Sequence, residues 1–588
     1  MIRNKLNKFY QDNKPVSTSM WVILLVVSPA LLNSLAVRYD AYDEMWFYFR
    51  WLGSSLREGY FGDYFPYIVS GYPIGANIQS GTYNVFYLLF SYLFYNSVWS
   101  INLFYITSQY VFFFIAYNIA RSYSLNKESS VYFSLSIIAS GFLVGHTSHY
   151  SYHASALGFM LCFLGFRYAM KENIVKSILF CFIGTYHAVT AGYPAILSFG
   201  AQVFIIYFLF ILIKEKEKRK YLMLSLLGVI VGSIFSIPTI MHFFNQLQFS
   251  NRANGLSVEQ VMLGDLPYQS LVNFIFPYLW RNFTGLADLT MERFHLIGMS
   301  FPLMLFFFYL IIKRAFKNNL YLIVVFSIGL FFTVLSLGDN IVVPSIRQYL
   351  AENLFIYRIG RFPSGEHRGF ALFCFALITA FAFQHLWLKI DRKKQKILLI
   401  IIFIDFVLTM MVPFKVRVGK MHRDLRGFVP PFKITYSQSE QYLLDKPRDC
   451  TFLEKPHVRQ KHIAPHTFYW EGYTSLKPVR YLEDAKEMNW AICGNSKLWD
   501  YKAKTPFDYN LIHYSPSRIE FDLHNDMKDN LLLLWAETND GLWRIQINGK
   551  EVEFIKGKAQ LRYFNVSPGF SVIKMIYYGP LSKLWRSF

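Results

Sequence analysis

Long apolar runs alternate with short polar stretches over the first 413 residues. The runs at 20–37, 196–213 and 397–414 carry almost no charge, and each approaches the roughly 20 residues that a helix needs to cross a bilayer. The segment 83–96 is short for a crossing, so we expect an interfacial or re-entrant helix there. The pattern predicts about eleven transmembrane helices, at 20–37, 98–120, 131–145, 154–170, 176–189, 194–213, 221–243, 296–313, 320–337, 367–388 and 397–413.

After Phe414 the pattern changes to short alternating stretches such as "RIEFDLH", "NLLLLWAET" and "FSVIKMIYY", which are typical of strands. Asn548–Gly549 lies between two of them and predicts a tight hairpin, because both residues tolerate positive φ. We therefore predict an α-helical polytopic membrane domain at 1–413 with a large first extracytoplasmic loop at 38–97. A linking region at 414–509 and a small antiparallel, β-sandwich-like domain at 510–588 would follow, both extracytoplasmic.

Composition supports a membrane protein, with 54% hydrophobic and only 16% charged residues. Lys and Arg outnumber Asp and Glu by 59 to 38, and much of the basic charge lies in short tracts between apolar runs, such as 214–220, 313–317 and 389–396. That placement follows the positive-inside rule and indicates contact with membrane lipids rather than nucleic acid. We predict a multi-pass protein of the cytoplasmic (inner) membrane with a cytoplasmic N-terminus and a retained first span.

Three carboxylates, Asp40, Asp43 and Glu44, lie directly after the first apolar run. On a helix they share one face. One interpretation is structural, with Asp40 as an N-cap and the others favoured by the helix dipole. The other is chemical: a general base at the membrane surface, with Asp43 and Glu44 as candidate ligands for a divalent ion such as Mg²⁺ or Mn²⁺. No cofactor is certain from the sequence.

Two further stretches place polar groups on the predicted outer side. The first combines three glycines between 71 and 81 with Asn77 and Gln79, and glycine at that density suits a close approach of backbone to a ligand. In the second, "GHTSHYSYH", His146 and His149, or His149 and His153, could share one side of a helix and face a substrate. Each could instead be an ordinary hydrogen-bonded histidine at the membrane surface. The polar C-terminal part contains Cys450 and Cys493, which could pair in an oxidising compartment.

The segment "YRIGRFPSGEHRGF" places Arg358, Arg361, His367 and Arg368 before a late apolar run, on the predicted outer side. Cations there oppose the positive-inside pattern, so we expect an anionic partner. That partner is either a substrate phosphate or, in the simpler interpretation, lipid headgroups and the chain's own carboxylates.

A carboxylate, a glycine-rich wall and an arginine cluster suit glycosyl transfer from a lipid phosphate. One base takes the proton of an acceptor hydroxyl. The leaving phosphate is already a stable anion, so it needs fixed positive charge rather than the second carboxylic acid of a glycoside hydrolase.

Four stretches in this order resemble the YfhO-like bacterial membrane proteins of the GT-C glycosyltransferase superfamily. They are the segment from Asp40 through "GYPIGANIQSGTYNVFY", then "GFLVGHTSHYSYHASALGF", "TAGYPAI", and "LFIYRIGRFPSGEHRGFALFCFALITAFAF". The terminal "GLWRIQINGKEV" and "FNVSPGFSVIKMIYYGP" are also similar to that family's closing β module. Tyr193 departs from the family pattern, which often has His there, as do Gly360 and Arg361 from its arginine–proline spacing.

The resemblance implies a transferase that takes a sugar from a polyprenyl-phosphate donor and passes it to a cell-envelope glycan, lipid or polymer. Asp40 would be the base, and Asp43 or Glu44 would assist or hold a metal. The arginines at 358, 361 and 368 would hold the donor phosphate, and His146 and His149 would line a substrate pocket. Two alternatives stay open: a lipid-linked glycan transporter or flippase, and a non-catalytic scaffold for envelope assembly that works through its β module.

Overall fold

The chain groups by backbone contacts into two compact units. The helical unit comprises Met1–Tyr42, Ile101–Phe235 and Gly255–Arg423, and the mixed unit comprises Asp43–Ser100, Ser236–Asn254 and Asp424–Phe588. The domain boundaries predicted from composition, at 413 and 509, are not tested by this grouping and stay predictions. The computed structural model describes residues 15–16, 19–24, 46–57, 59, 61–64, 73–94, 99–140, 142–143, 150–247, 257–258, 271, 320–337, 344–358, 363–418, 498–515, 517–539, 541–556 and 561–580.

Most described residues before position 420 are helical. Five of the helical segments are long and apolar enough to cross a membrane: Leu103–Ser122, Ile174–Ala191, Pro194–Lys214, Leu320–Leu337 and Glu366–Trp387. The helices are α1 Trp46–Arg57, α2 Val85–Phe94, α3 Trp99–Ser122, α4 Lys127–Ile138, α5 Tyr150–Met170, α6 Ile174–Ala191, α7 Pro194–Lys214, α8 Arg219–Phe235, α9 Ile237–Leu247, α10 Leu320–Leu337, α11 Pro344–Asn353, α12 Pro363–Trp387 and α13 Arg392–Val418.

The predicted helical segments largely recur in these bounds, but the stretch 221–243 differs. It is divided into α8 and α9 at Ser236 instead of forming one straight helix. The expected short helix within 83–96 is α2, an apolar helix too short to count as a candidate span. The expected span at 296–313 lies outside the described residues, as does most of the first.

Small residues let α5 and α6 pack closely. A Cβ added to Gly158 would lie 2.6 Å from the carbonyl oxygen of Gly184, and one added to Gly184 would lie 2.6 Å from that of Gly158. Cys162 and Cys181 fill the same interface and are buried as free thiols, which agrees with a packing role. Such small-residue contacts are the usual means of close helix association in membranes, where lipid competes equally for apolar surface.

Helix α12 packs against several neighbours in the helical unit. The ring of Phe383 stacks on Tyr132 of α4 with centroids 4.7 Å apart. One turn from its end, the Gln384 side-chain oxygen accepts a hydrogen bond of 2.6 Å from the backbone N–H of Asn126, the N-cap of α4. These contacts fix the C-terminal end of α12 against α4.

The C-terminal strands form two antiparallel sheets. One has the order β2-β1-β5-β8 and the other β3-β4-β9-β6-β7. Their strands are β1 Leu498–Asp500, β2 Thr505–Pro506, β3 Asn510–Ser515, β4 Arg518–Asn525, β5 Leu531–Thr538, β6 Trp543–Ile547, β7 Lys550–Val552, β8 Leu561–Val566 and β9 Gly569–Tyr577. Within the described residues the strands thus extend from 498, some residues before the expected start at 510, because β1 pairs with β5.

The predicted hairpin at Asn548–Gly549 is confirmed. Both residues have positive φ, 51° and 77°, and they join β6 to β7, which pair antiparallel with Ile547 opposite Lys550. The two-residue turn with positive φ matches the twist of the flanking strands.

One hydrophobic core joins the inner faces of the two sheets. It contains Leu533 and Trp535 of the first sheet and Phe521 and Ile573 of the second, all fully buried. Tyr64, from the segment after α1, belongs to the same core. The β-sheet region therefore incorporates a residue from the first predicted extracytoplasmic loop.

Candidate functional site

The candidate site lies in the first turns of α12, where Glu366, His367 and Arg368 follow one another. All three are buried, with exposed fractions of 1%, 0% and 0%. Because helical residues advance by about 100° each, at 3.6 residues per turn, three consecutive side chains face three different neighbours. Glu366 also lies in the first turn, where the positive end of the helix dipole favours a carboxylate.

Glu366 contacts α5. The hydroxyl of Tyr152 donates a hydrogen bond of 3.2 Å to its Oε1. Tyr152 in turn stacks on Tyr193 with centroids 4.5 Å apart. Tyr193 comes from "TAGYPAI", Tyr152 from "GHTSHYSYH" and Glu366 from "YRIGRFPSGEHRGF", so the structure brings together three of the stretches singled out in the sequence. A burial this complete requires such polar contacts, since a buried carboxylate without them is costly.

His367 and Arg368 contact α7 and α10. The imidazole of His367 lies against Phe199 and Phe332, at centroid distances of 4.4 Å and 5.6 Å. The Nε of Arg368 donates to the hydroxyl of Ser336 at 2.9 Å. This full burial makes Arg368 a cation held inside the helical unit rather than one displayed on its surface.

An apolar cavity of about 120 Å³ adjoins the site. It lies among α3, α4, α5, α7, α10 and α12 and is lined mainly by apolar residues, seven of them phenylalanines, with Glu366 as its one charged lining residue among those described. Along α12 the lining extends from Glu366 to Leu377, which is about 16 Å at 1.5 Å per residue. The helical unit thus places an acid, Glu366, in the wall of an apolar space, while the buried cation Arg368 follows it closely on α12 without being one of the lining residues.

The remaining predicted residues of this stretch and of the first loop are only partly described. Arg358 ends a short 3₁₀ helix, Phe355–Arg358, and is half-buried. Its neighbour Tyr357 lies 6.4 Å from the His367 ring, which places the 3₁₀ helix beside the site. The predicted residues that lie outside the described set are Asp40, Asp43, Glu44, His146, His149 and Arg361.

Asn77 and Gln79 belong to the mixed unit. Asn77 lies between two short 3₁₀ helices, Ile74–Ala76 and Ile78–Ser80, and Gln79 lies in the second. The Asn77 side chain caps the second of them by accepting from the N–H of Gln79 at 3.2 Å, and its Nδ2 donates to the hydroxyl of Tyr48 at 3.0 Å. Gln79 is half-buried. For Asn77, these local contacts account for a structural role.

The glycines near these residues accommodate the chain's own side chains. A Cβ at Gly75 would lie 2.7 Å from His242 Nδ1 and from the Tyr83 hydroxyl. Gly81 has a φ of 66° and lies against the Tyr87 ring. The close backbone approach expected from the sequence is present, but at these two positions protein groups fill the space where a ligand was expected.

A second buried polar cluster occurs in the mixed unit. His242 of α9 contacts the Tyr83 hydroxyl through Nδ1 at 2.8 Å and the Tyr577 hydroxyl through Nε2 at 3.0 Å. Nearby, Arg562 of β8 donates to the Tyr64 hydroxyl at 2.8 Å and lies 3.6 Å from the Trp543 ring centroid. These contacts tie three distant stretches of sequence into one packed unit.

No group of three or more His, Cys, Asp or Glu side chains suited to a metal is found within the described residues. The candidates Asp43 and Glu44 lie outside them, as do Cys450 and Cys493.

Glu366, Tyr152 and Tyr193 were not selected from the sequence as site residues. The available signal was an ionisable residue at the start of a membrane-length apolar run, a position that is costly and therefore a functional candidate. Comparison with protein-family models, with curated proteins and with solved structures finds no match for this chain.

Proposed function

We propose that this protein is a membrane glycosyltransferase that moves a sugar from a polyprenyl phosphate to a cell-envelope acceptor at the outer face of the cytoplasmic membrane. One observation carries the proposal: the buried Glu366–His367–Arg368 sequence at the start of a membrane-length helix, with Glu366 in the wall of an apolar cavity. A lipid phosphate has the matching division into a charged head and an apolar chain.

The chemistry needs few groups. The oxygen of an acceptor hydroxyl attacks the anomeric carbon, the bond from that carbon to the phosphate oxygen breaks, and the phosphate leaves with the electron pair. The hydroxyl proton passes to a carboxylate, for which Asp40 is the proposed acceptor. Arg358 and Arg361 are the proposed contacts of the phosphate, because planar guanidinium groups bind it through paired hydrogen bonds.

Arg368 has a different proposed role from these two arginines. Its burial and its bond to Ser336 suit a fixed charge that favours an anion at the start of α12 without leaving its place. His367, surrounded by aromatic rings, would fix the position of α12 against α7 and α10.

The test compares envelope glycans and lipid-linked sugars in a deletion strain that carries the wild type, Asp40→Asn or Arg358→Gln. Arg544→Gln is the matched control, since the exposed Arg544 side chain donates to the carbonyl oxygens of Gly541 and Trp543 in its own stretch of the mixed unit. We expect Asp40→Asn to abolish one glycan product and to accumulate its lipid-linked precursor at normal protein abundance, and Arg358→Gln to slow transfer. Full glycan production with Asp40→Asn would refute the assigned base, and an unchanged profile in the deletion strain would refute the function.

A lipid-linked glycan transporter is the second candidate. The division of an apolar stretch into α8 and α9 at Ser236 favours it, because broken helices commonly form transporter binding sites. Movement of labelled polyprenyl-phosphate sugar across liposomes that contain only this protein would support transport, whereas transfer without such movement would support the enzyme.

A further inference from the structure

Two glycines in the cavity wall face phenylalanine rings that line the same cavity. Gly200 of α7 lies against Phe159 of α5, and Gly369 of α12 lies against Phe142. A Cβ at position 200 would lie 2.2 Å from Cε2 of Phe159, and one at position 369 would lie 2.7 Å from Cε2 of Phe142. Both distances are far below a normal carbon–carbon contact. Each ring therefore occupies space that the Cβ of any residue other than glycine would take.

An alanine at either glycine would displace the ring that faces it, and the surroundings of the ring determine the direction of that displacement. Protein interiors are packed to nearly crystalline density, so a displaced ring moves toward space that is already empty. For Phe159 and Phe142 that space is the cavity itself, which both rings line. A methyl group at either glycine would therefore make the cavity smaller by an amount greater than its own volume.

The size of the cavity limits what it can hold. A cavity of about 150 Å³ lined by aliphatic and aromatic groups stays dry and accepts benzene. At about 120 Å³, this one suits a slightly smaller group, such as one branched isoprene unit. The hydroxyl of Tyr207, another lining residue, bonds to the Tyr123 hydroxyl at 2.5 Å and provides a polar boundary away from Glu366.

We infer that this cavity takes one branched, isoprene-sized unit of a lipid chain, and that Gly200 and Gly369 determine whether the branch fits. The inference adds a binding site for the lipid chain to the proposed function. It rests on that function in one respect, that the lipid is the sugar donor. A linear chain segment is narrower than a branched one, so loss of either glycine should discriminate against branching rather than against all lipids.

The test measures binding to the full chain in detergent. The probes are farnesyl phosphate, whose chain is branched, and dodecyl phosphate, whose chain has the same backbone length without branches. We expect the wild type to bind farnesyl phosphate more tightly, and Gly200→Ala and Gly369→Ala each to reduce that preference about tenfold, since overfilling a packed site by one methyl commonly has such an effect. Because Phe159→Leu returns space to the cavity, the double variant Gly200→Ala/Phe159→Leu should regain the preference.

Gly165→Ala is the matched control. Gly165 is also a helical glycine in close contact, with Cys181 Sγ 2.6 Å from its added Cβ, but it does not line the cavity. This variant should lower the melting temperature without changing the ratio of the two affinities. Equal ratios in the wild type, Gly200→Ala and Gly369→Ala, or no binding of either probe by the wild type, would overturn the inference.

Binding and transfer can fail separately. A wild type that prefers farnesyl phosphate but transfers no sugar would refute the proposed function and leave the cavity assignment standing. A protein that transfers sugar while both glycine variants keep the wild-type ratio would refute the cavity assignment alone.

Discussion

The hydroxyl of Tyr64 accepts a hydrogen bond of 2.8 Å from Nη2 of Arg562, which joins residues 498 positions apart. Both side chains are buried, and the Tyr64 ring also contacts Trp543 edge-on at 5.1 Å. The β-sheet region is thus completed by a residue from the segment that follows α1.

Removal of the Tyr64 hydroxyl should weaken the mixed unit. Tyr64→Phe takes one acceptor from a buried guanidinium, at a cost of about 1–3 kcal/mol in unfolding free energy. Tyr64→Ala also empties part of the core and should cost about 3–5 kcal/mol. Thermal unfolding of the purified protein, followed by tryptophan fluorescence, measures both. The exposed Tyr92 of α2, in the same unit, supplies the control, since Tyr92→Phe should change little; equal effects of Tyr92→Phe and Tyr64→Phe would argue against this role for the Arg562 bond.

The same relationship predicts the behaviour of the C-terminal segment alone. Residues 415–588 lack Tyr64 and also lack His242, whose Nε2 contacts the Tyr577 hydroxyl. We expect this segment to be more protease-sensitive than the same region in the full chain, because its core would be incomplete. Limited proteolysis with mass spectrometry compares the two. Equal resistance, together with full cellular function of the segment, would instead favour the scaffold hypothesis.

Local sequence patterns predicted much of the fold, whereas nothing in the sequence indicated which distant segments pair with each other. Asn548–Gly549 was predictive because a two-residue turn depends only on its own residues and the flanking strands. The helices near 194–213 and 320–337 were predictable from uninterrupted apolar length. By contrast, nothing near Tyr64 specifies Arg562, since a contact at that separation is chosen by the tertiary packing of the whole unit.

The candidate site was predicted in part for a similar reason. The cluster containing His367 and Arg368 was found because cations beside an apolar run are unusual. Glu366 lies in the same stretch and was missed, because its significance depends on Tyr152 and on the cavity, both of which come from other helices. Asp40 and Arg361 stay predictions.

Two glycines of the mixed unit should respond differently to alanine. Gly549 has a φ of 77° and open space around an added Cβ, so Gly549→Ala should cost only the left-handed backbone strain of about 1–2 kcal/mol. A Cβ at Gly579 would lie 1.9 Å from Oδ2 of the buried Asp63, so Gly579→Ala should cost about 3 kcal/mol or more. Thermal unfolding ranks the two variants. Gly541→Ala, at a second glycine with a positive φ of 80° and open space around an added Cβ, is the matched control and should cost about as much as Gly549→Ala. A reversed ranking of Gly549→Ala and Gly579→Ala would contradict the packing described at Gly579.

Loss of the Ser336 hydroxyl tests the fixed position of Arg368. Ser336→Ala removes the acceptor of the 2.9 Å bond from Nε and should lower stability by about 1–3 kcal/mol, because the guanidinium is fully buried. Ser336→Thr keeps a hydroxyl and should preserve much of the effect. Melting temperature and the abundance of the glycan product report on structure and function separately. A stable Ser336→Ala protein with normal product would remove Arg368 from the proposed role.

The pH dependence of the mixed unit should include a contribution from His513 of β3. Burial, followed by the charge of nearby Arg518, lowers the pKa of His513 below its ordinary value of 6.5, while Glu520 opposes the shift. The unfolded chain therefore binds a proton at a pH where the folded chain does not, so this contribution to stability is present above about pH 6.5 and is lost as the pH falls below it. Unfolding midpoints of the wild type and His513→Gln between about pH 5 and 8 measure it. The wild type should lose more stability on acidification than the variant, and parallel curves would show that His513 contributes nothing to the pH dependence.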